Sequence, residues 1–187
     1  VPTLTSSDAD NRFCSGTSVT FTAGGGSIYN FRVNGVSVQN GSSNTYVTSS
    51  ITDGQNVDVI VTNANGCIAT SSAITNIVFA LPTPTITSSD PDNTFCLGTS
   101  VTFSGTGALS YNFRVNGISV QNGTSPTYTT SGITNGQVVD LVVTNANGCM
   151  AATEAITNTV NPLPAPVITS SDPDNRFCTG SSVTFTA

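Results

Sequence analysis

Hydrophobic and polar residues alternate over several short stretches of this chain. In the stretch YNFRV, the large apolar residues Tyr29, Phe31 and Val33 alternate with polar ones, which places all three on one face of a β-strand. Asn34-Gly35 follows directly, and this pair between two alternating runs predicts a hairpin with a type I′ turn. Comparable runs predict further strands at 19–23, 45–48, 57–61 and within 68–79.

The whole pattern returns after 82 residues. YNFRVNGVSVQNG at 29–41 becomes YNFRVNGISVQNG at 111–123, and VTNANGC at 61–67 recurs at 143–149. A third motif occurs three times, as SSDADNRFC, SSDPDNTFC and SSDPDNRFC, starting at residues 6, 88 and 170. A fixed period of this kind indicates tandem structural units. We therefore predict two complete repeats, 1–82 and 83–164, and the first part of a third, 165–187, cut from a longer array.

The fold class predicted from these patterns is all-β. Only the Ala-rich segment 150–157 suggests a helix, but its counterpart 68–75 is rich in β-branched residues and serine, so we predict strands in both. About seven short strands with turn signals between them are typical of an immunoglobulin-like β-sandwich. The expected architecture is a string of such sandwiches, one for each repeat.

Composition narrows the class of protein further. Only 7% of the residues are charged, and lysine, histidine and tryptophan are absent. The content of Val, Ile and Phe argues against disorder, and the net charge of −6 argues against a nucleic-acid partner. No apolar run approaches the roughly 20 residues that span a bilayer, and no signal peptide is visible. We expect no direct insertion into a membrane.

Four cysteines occupy equivalent places in the two repeats, namely Cys14, Cys67, Cys96 and Cys149. Pairing within each repeat, Cys14 with Cys67 and Cys96 with Cys149, closes equivalent loops, and a bridge over a loop of this size contributes roughly 4 kcal/mol. The rival pairing of Cys67 with Cys96 would leave Cys14 alone. Metal ligation lacks a CxxC pair or a histidine. Disulfides imply an oxidising, extracellular compartment, and the partner of Cys178 is expected beyond residue 187.

Three motifs of the repeat carry a family resemblance. They are CxGxSVTF from Cys14, YxFxVNG from Tyr29, and DGQxVDVxVTNANGC from Asp53. Together they resemble the PKD-like and Ig-like repeats of giant surface proteins of the Bacteroidota, especially those of gliding-motility adhesins. The resemblance covers the whole chain. It implies a very long filament, secreted by the type IX pathway, that attaches cells to surfaces and in gliding cells moves along the envelope.

The recurring acidic motif is the sharpest chemical feature, because it holds six of the ten acidic residues: Asp8, Asp10, Asp90, Asp92, Asp172 and Asp174. Carboxylate and amide oxygens are ligands that Ca²⁺ prefers, so one interpretation is a calcium ion at each repeat junction, with Asp53 as a further ligand in the first repeat. The alternative is a turn in which Asp and Asn side chains cap their own backbone. Two carboxylates are few for a calcium site, and the counterpart of Asp53 is Asn135. No other cofactor is expected.

Enzymatic activity is not predicted, because general acid–base and nucleophilic catalysis usually need histidine, lysine or a reactive cysteine. Asn40 and Asn122 begin formal glycosylation sequons, and the alternative is that they are ordinary loop residues. Arg32 and Arg114 are predicted on the outer face of the hairpin, either solvated or in contact with a neighbouring filament or an acidic glycan.

Two functions remain open from the sequence. The repeats form the shaft of an adhesive surface filament, with neighbouring repeats, other filaments or surface polysaccharide as partners, or they are spacers in a secreted enzyme that acts on glycans. A long run of near-identical repeats favours the filament.

Overall fold

The computed structural model describes all 187 residues, and every regular element is a β-strand. The predicted all-β class is confirmed. The first repeat contains ten strands: β1 (Thr3–Ser6), β2 (Arg12–Cys14), β3 (Val19–Gly24), β4 (Ile28–Val33), β5 (Val36–Gly41), β6 (Thr45–Thr48), β7 (Asn56–Thr62), β8 (Ile68–Thr70), β9 (Ile74–Thr75) and β10 (Ile77–Phe79). The predicted hairpin and the strands around it are all present.

Eight of these strands form two sheets with the order of an immunoglobulin-like sandwich, and β2 and β10 form a separate pair. One sheet has the order β1-β3-β6, and the other has the order β5-β4-β7-β8 with β9 also on β7. All of these pairs are antiparallel. The exception is the short strand β2, which lies parallel to β10 with Phe13 opposite Val78. Because the two strands are parallel, the residues that follow β2 lie at the same end of the sandwich as the residues that follow β10.

The second repeat reproduces this arrangement strand for strand. Its elements are β11 (Thr85–Ser88), β12 (Thr94–Cys96), β13 (Val101–Thr106), β14 (Ser110–Val115), β15 (Ile118–Gly123), β16 (Thr127–Thr130), β17 (Val138–Thr144), β18 (Met150–Ala152), β19 (Ile156–Thr157) and β20 (Thr159–Asn161). The 150–157 segment is therefore extended, as predicted. A last antiparallel pair, β21 (Thr169–Ser170) with β22 (Phe185–Thr186), matches the pairing of β1 with β3.

The structure has two separate hydrophobic cores. One is formed by residues between 13 and 78, centred on Phe21 and Phe31, and the other by residues between 95 and 160, centred on Phe103 and Phe113. All four of these phenylalanines have no exposed surface. Strand β7 shows why the alternation matters, because Val57, Val59 and Val61 are buried while the residues between them are half-buried. The exact repeat boundaries, 82/83 and 164/165, stay a prediction.

The tight turn between β4 and β5 has the predicted geometry. Asn34 and Gly35 have φ angles of 48° and 80°, and their counterparts Asn116 and Gly117 have 50° and 77°. Positive φ at both central residues defines the type I′ turn, which Asn and Gly tolerate at low cost. The Oδ1 atom of Asn34 also accepts the backbone N–H of Asn56 at 2.9 Å, which fastens the turn to the start of β7.

The two cores differ at one pair of facing positions in a compensating way. The first repeat has Ala23 and Val59, and the second has Gly105 and Leu141 at the equivalent places. A Cβ atom added to Gly105 would lie 2.3 Å from Leu141 Cδ2 and 3.3 Å from a ring carbon of Tyr111. The larger leucine therefore occupies the space that alanine fills in the first repeat.

We predict that Gly105→Ala destabilises the second repeat by about 1–3 kcal/mol, because it overpacks a filled core. The same substitution in a Leu141→Val background is expected to cost much less, since it recreates the pair of the first repeat. Urea denaturation of the two single variants and the double variant measures the coupling free energy. Strictly additive effects would contradict this account of the core.

Candidate functional site at the repeat junction

Each sandwich has a leading end, where its chain begins, and a trailing end, where the chain leaves for the next repeat. Strand β10 runs toward the trailing end and is followed by the linker 80–84. Because β2 is parallel to β10, it also ends there, with Cys14 opposite Phe79. The backbone N–H of Ser15 donates to the Phe79 carbonyl at 2.8 Å and holds the cysteine beside the linker. Cys14 therefore lies against the junction with the second repeat.

Cys149 approaches the same junction from the other side. It lies in the loop between β17 and β18, at the leading end of the second sandwich. Cys14 and Cys149 form a disulfide across the junction, with 5.6 Å between their Cα atoms and a sequence separation of 135. Cys149 has no exposed surface, so the bridge is covered on the side of the second repeat.

This bridge corrects the cysteine pairing predicted from the sequence. The expected bonds of Cys14 with Cys67 and of Cys96 with Cys149 are wrong, and the rival bond of Cys67 with Cys96 does not form either, since Cys67 and Cys96 are free and exposed. Strand β7 is antiparallel to β9, so it runs from the trailing to the leading end, whereas β2 is parallel to β10 and ends at the trailing end. Cys14 ends β2 and Cys67 follows β7, so the two cysteines lie at opposite ends of one sandwich.

The length of the sandwich makes a bond within one repeat impossible. Strand β7 has seven residues, and a strand rises about 3.4 Å per residue, so its ends are roughly 20 Å apart. A disulfide requires Cα atoms within about 7 Å. The sequence shows that one cysteine precedes β3 and the other follows β7, but the direction in which the strands run is seen only in the structure.

The loop that carries Cys149 is braced by one asparagine. Asn145 Oδ1 accepts the backbone N–H groups of Asn147 and Cys149, each at 3.0 Å. Its Nδ2 atom donates across the junction to the carbonyl of Ala80 at 3.1 Å. Asn145 was not singled out from the sequence, although it belongs to the repeated VTNANGC motif. It ties the cysteine loop to the linker beside the disulfide.

We predict that the isolated chain of residues 1–187, once oxidised, has three thiols, those of Cys67, Cys96 and Cys178. Thiol titration under denaturing, non-reducing conditions measures this number, and mass spectrometry of the digest should find the peptide of Cys14 linked to that of Cys149.

Two matched variants sharpen the thiol count. Cys96→Ser should have one thiol fewer with the bridge intact, whereas Cys14→Ser should have one more because Cys149 loses its partner. A single thiol in the unsubstituted chain, together with peptides that link Cys14 to Cys67 and Cys96 to Cys149, would restore the pairing within each repeat.

The acidic motif forms a capped turn in all three copies. In the first copy, the backbone N–H of Arg12 lies 2.9 Å from Asp8 Oδ1 and 3.3 Å from Asp10 Oδ1. The second copy places the N–H of Thr94 2.9 and 3.1 Å from Asp90 and Asp92, and the third places that of Arg176 3.1 Å from both Asp172 and Asp174. The carboxylates thus bind their own backbone, which is the alternative that the sequence left open.

The asparagine that ends this motif sets the direction of the strand after it. Asn11, Asn93 and Asn175 have φ angles of 56°, 56° and 55°, in the left-handed region that asparagine tolerates better than most residues. The carbonyl of Asn11 accepts the backbone N–H of Ile77 at 2.9 Å, and that of Asn93 accepts Thr159 at 2.9 Å. The motif therefore steers β2 and β12 alongside the last strand of each repeat.

Asp53, the suggested additional calcium ligand, has a structural partner. Its Oδ1 atom accepts the backbone N–H of Val78 at 2.9 Å, and the Oδ1 atom of Asn135 accepts that of Val160 at 3.0 Å. An amide oxygen does the same work in the second repeat, so negative charge is not required at this position. No group of three or more acidic, cysteine or histidine side chains is placed to hold a metal ion. Calcium binding at the six aspartates stays a prediction.

We predict that Asp53→Asn changes the free energy of unfolding by only a few tenths of a kcal/mol, whereas Asp53→Ala costs about 1–2 kcal/mol by leaving the Val78 N–H without its acceptor. Chemical denaturation with and without added calcium measures both effects. Stabilisation by calcium that Asp53→Asn abolishes would instead assign this carboxylate to a metal site.

Arg32 and Arg114 are half-buried members of ion pairs rather than freely solvated side chains. Arg32 Nε and Nη2 donate to the two carboxylate oxygens of Asp58, each at 2.7 Å, and Arg114 makes the same paired contact with Asp140. These hydrogen bonds raise the pKa of both guanidinium groups above the ordinary value. Deprotonation of the guanidinium groups therefore breaks these pairs only at strongly alkaline pH. Asp58 and Asp140 were not predicted from the sequence as partners of the arginines, although each lies opposite its arginine in the strand pairs β4–β7 and β14–β17.

The sequon asparagines Asn40 and Asn122 are exposed residues of β5 and β15. No helix of the structure is long and apolar enough to cross a membrane.

Comparison with known proteins gives similarity in structure but not in sequence. Neither a protein-family profile nor a characterised protein sequence matches this chain. Among solved structures, fibronectin(III)-like modules of Clostridium thermocellum CbhA are 14% identical, with a TM-score of 0.47 over 87% of this chain and 95% of that one. Three N-terminal domains of the bacteriophage RB49 outer capsid protein Hoc are 13% identical, with a TM-score of 0.41 over 85% and 58%. The ectodomain of mouse nectin-like molecule 4 is 15% identical, with a TM-score of 0.36 over 89% and 66%.

Proposed function

We propose that this chain is part of the shaft of a long secreted adhesin on a bacterial cell surface. The observation that carries the proposal is the disulfide between Cys14 and Cys149, because it joins two successive repeats at their junction. A bond at this place restricts how one sandwich moves relative to the next. That is useful in a shaft, which must hold its tip away from the cell, and it serves no purpose in a catalytic site.

The repetition of the same structural features in both sandwiches supports the same role. Both sandwiches have the same strand order and the same capped turn at the start. The paired arginine and aspartate, too, recur at equivalent places on neighbouring strands. Stability in a tandem array comes from each unit and its contacts with its neighbours. The partners that matter most for this segment are therefore the adjoining repeats, with other filaments or surface polysaccharide as partners of the assembled fibre.

The disulfide also bears on the compartment. Disulfides persist in oxidising surroundings and are rare in the cytosol, so the bridge favours an extracellular location. The resemblance of the motifs to the repeats of the gliding-motility adhesin SprB and its relatives adds the bacterial surface, export by the type IX pathway and a role in gliding to the proposal.

The second candidate is a spacer in a secreted enzyme that acts on glycans. Such a spacer would use the same sandwiches to separate a catalytic module from the cell. The near-identity of the two repeats, and the third start at residues 165–187, favour the shaft, because they fit a series made by repeated duplication.

We predict that antibody fragments raised against residues 1–187 label fibres on intact producing cells at many regularly spaced points. Electron microscopy with gold-labelled fragments measures this, and the same fragments should reduce the attachment of cells to a surface. Fragments raised against an unrelated surface protein are the control.

A different pattern would decide for the spacer. Labelling of a released protein at only one or two points, beside a module with glycan-cleaving activity, would overturn the shaft proposal.

A further inference from the structure

The two free cysteines inside the complete repeats occupy the same places as the two bridged ones. Cys96 is the counterpart of Cys14, and Cys67 is the counterpart of Cys149. Burial differs sharply at the second position, because Cys149 is fully buried whereas Cys67 is exposed. A repeat packed in front of Cys149 accounts for the difference. Cys67 thus occupies the position of a junction cysteine, but no sandwich packs against it in this structure.

The loop after the first cysteine has one shape in all three copies. The carbonyls of Cys14, Cys96 and Cys178 each accept the backbone N–H three residues later at 3.0 Å. The glycine two residues after each cysteine has a positive φ angle, 83°, 85° and 91° in turn. Bridged and free cysteines therefore share the same local backbone. Cys96 needs no rearrangement of its own loop to form the bond that Cys14 forms.

The loop that carries the second cysteine is equally constant. Asn63 Oδ1 accepts the N–H groups of Asn65 and Cys67 at 3.0 and 2.9 Å, as Asn145 does for its own loop. Only the contact across the junction is missing at Asn63, whose counterpart donates to the carbonyl of Ala80. That acceptor is a backbone atom, so it persists at Pro162, the position equivalent to Ala80.

The junction after the second repeat has the same parts as the first. The linkers 80–84 and 162–166 have equal length and share prolines at two places, and the second has one more proline, Pro162, where the first has Ala80. Beyond the second linker, Thr169 pairs with Thr186 in the register in which Thr5 pairs with Thr22. A further repeat would therefore meet the second at the geometry seen between the first two.

We propose that every junction in such an array carries the same disulfide, from the first cysteine of one repeat to the second cysteine of the next. Cys96 then bonds to the cysteine 82 positions beyond Cys149, and Cys67 bonds to the cysteine 82 positions before Cys14. The same bridges would form in a shaft and in a spacer.

The chemistry of each bridge is a thiol–disulfide exchange with a small disulfide such as oxidised glutathione. One thiolate attacks glutathione disulfide and releases a glutathione thiol, and the second cysteine then displaces the other glutathione from the mixed disulfide. The two cysteine thiols lose two protons and two electrons in total. One glutathione disulfide takes up both and becomes two glutathione thiols.

Such bridges limit how far the array can be stretched. Tension that enters at Cys14 crosses directly to Cys149, so residues 15–148 are bypassed even when they unfold. The next bridge on this path starts at Cys178, which leaves only 150–177 to extend. That segment adds at most about 100 Å, against roughly 550 Å for two unfolded repeats without bridges. A second, interleaved path runs through Cys96, so two covalent paths carry the tension side by side.

The first test uses the native protein from the cells that make it. The intact protein is alkylated with iodoacetamide in denaturant without reduction, digested and analysed by mass spectrometry. The peptides of Cys67 and Cys96 should be unmodified and bridged to peptides of other repeats, as should that of Cys14. Alkylated Cys67 or Cys96, or a bridge within one repeat, would overturn the proposal.

The second test uses a longer chain in which residues 24–82 are repeated after Ala187, so that the third repeat is complete and keeps the alanine and valine pair of the first core. After refolding with glutathione, Cys96 should bond to the added copy of Cys67, while the original Cys67 and Cys178 stay free. Cys96→Ser is the matched control, and it should free the added cysteine without affecting the bond of Cys14 with Cys149.

Stretching single molecules of this longer chain gives an independent readout. Loss of the second bridge in Cys96→Ser should lengthen the fully unfolded molecule by roughly 100 Å. An equal length for both chains, or Cys96 free in a molecule whose first bridge has formed, would overturn the proposal.

Discussion

The parallel contact between β2 and β10 is the constraint on which the rest of the junction depends. It places the first cysteine of a repeat at the trailing end of the sandwich, beside the linker. This cysteine lies there although it comes early in the sequence of the repeat. The acidic motif serves this contact, because its capped turn and the left-handed Asn11 direct β2 into place. The acidic motif, which suggested a metal site in the sequence, therefore has a structural role. It positions the strand that carries the bridged cysteine.

Sandwich length then decides which cysteines meet. A repeat of this size has a modest core, and a bridge inside each repeat would have added to its stability. The strands separate those cysteines by the full length of the sandwich, so the same chemistry joins neighbouring units. The stabilisation is shared between two repeats, and their relative position becomes part of the folded state. A chain with few charges thus connects its units covalently, without ion-pair networks between them.

Equivalent positions in the two repeats act as internal controls for these arguments. Asp53 and Asn135 make the same hydrogen bond, which separates the role of the oxygen atom from that of the charge. Ala23 with Val59 and Gly105 with Leu141 fill the same core space in different ways. Cys67 and Cys149 lie in equivalent loops, but only Cys149 has a preceding repeat packed against it. Their difference in burial therefore shows the effect of the junction.

The period, the all-β class, the strands and the type I′ turns could be predicted from the sequence, because alternation and turn chemistry are local properties that act within a few residues. Both interpretations of the acidic motif were open at that point. The partner of Cys14, the role of Asp53 and the pairing of Arg32 with Asp58 emerged from the three-dimensional fold, since each depends on which distant strands lie side by side and in which direction they run. The sequence gives only the number of residues between two cysteines. A disulfide forms according to distance in space, and in a tandem array the nearest partner belongs to the next repeat.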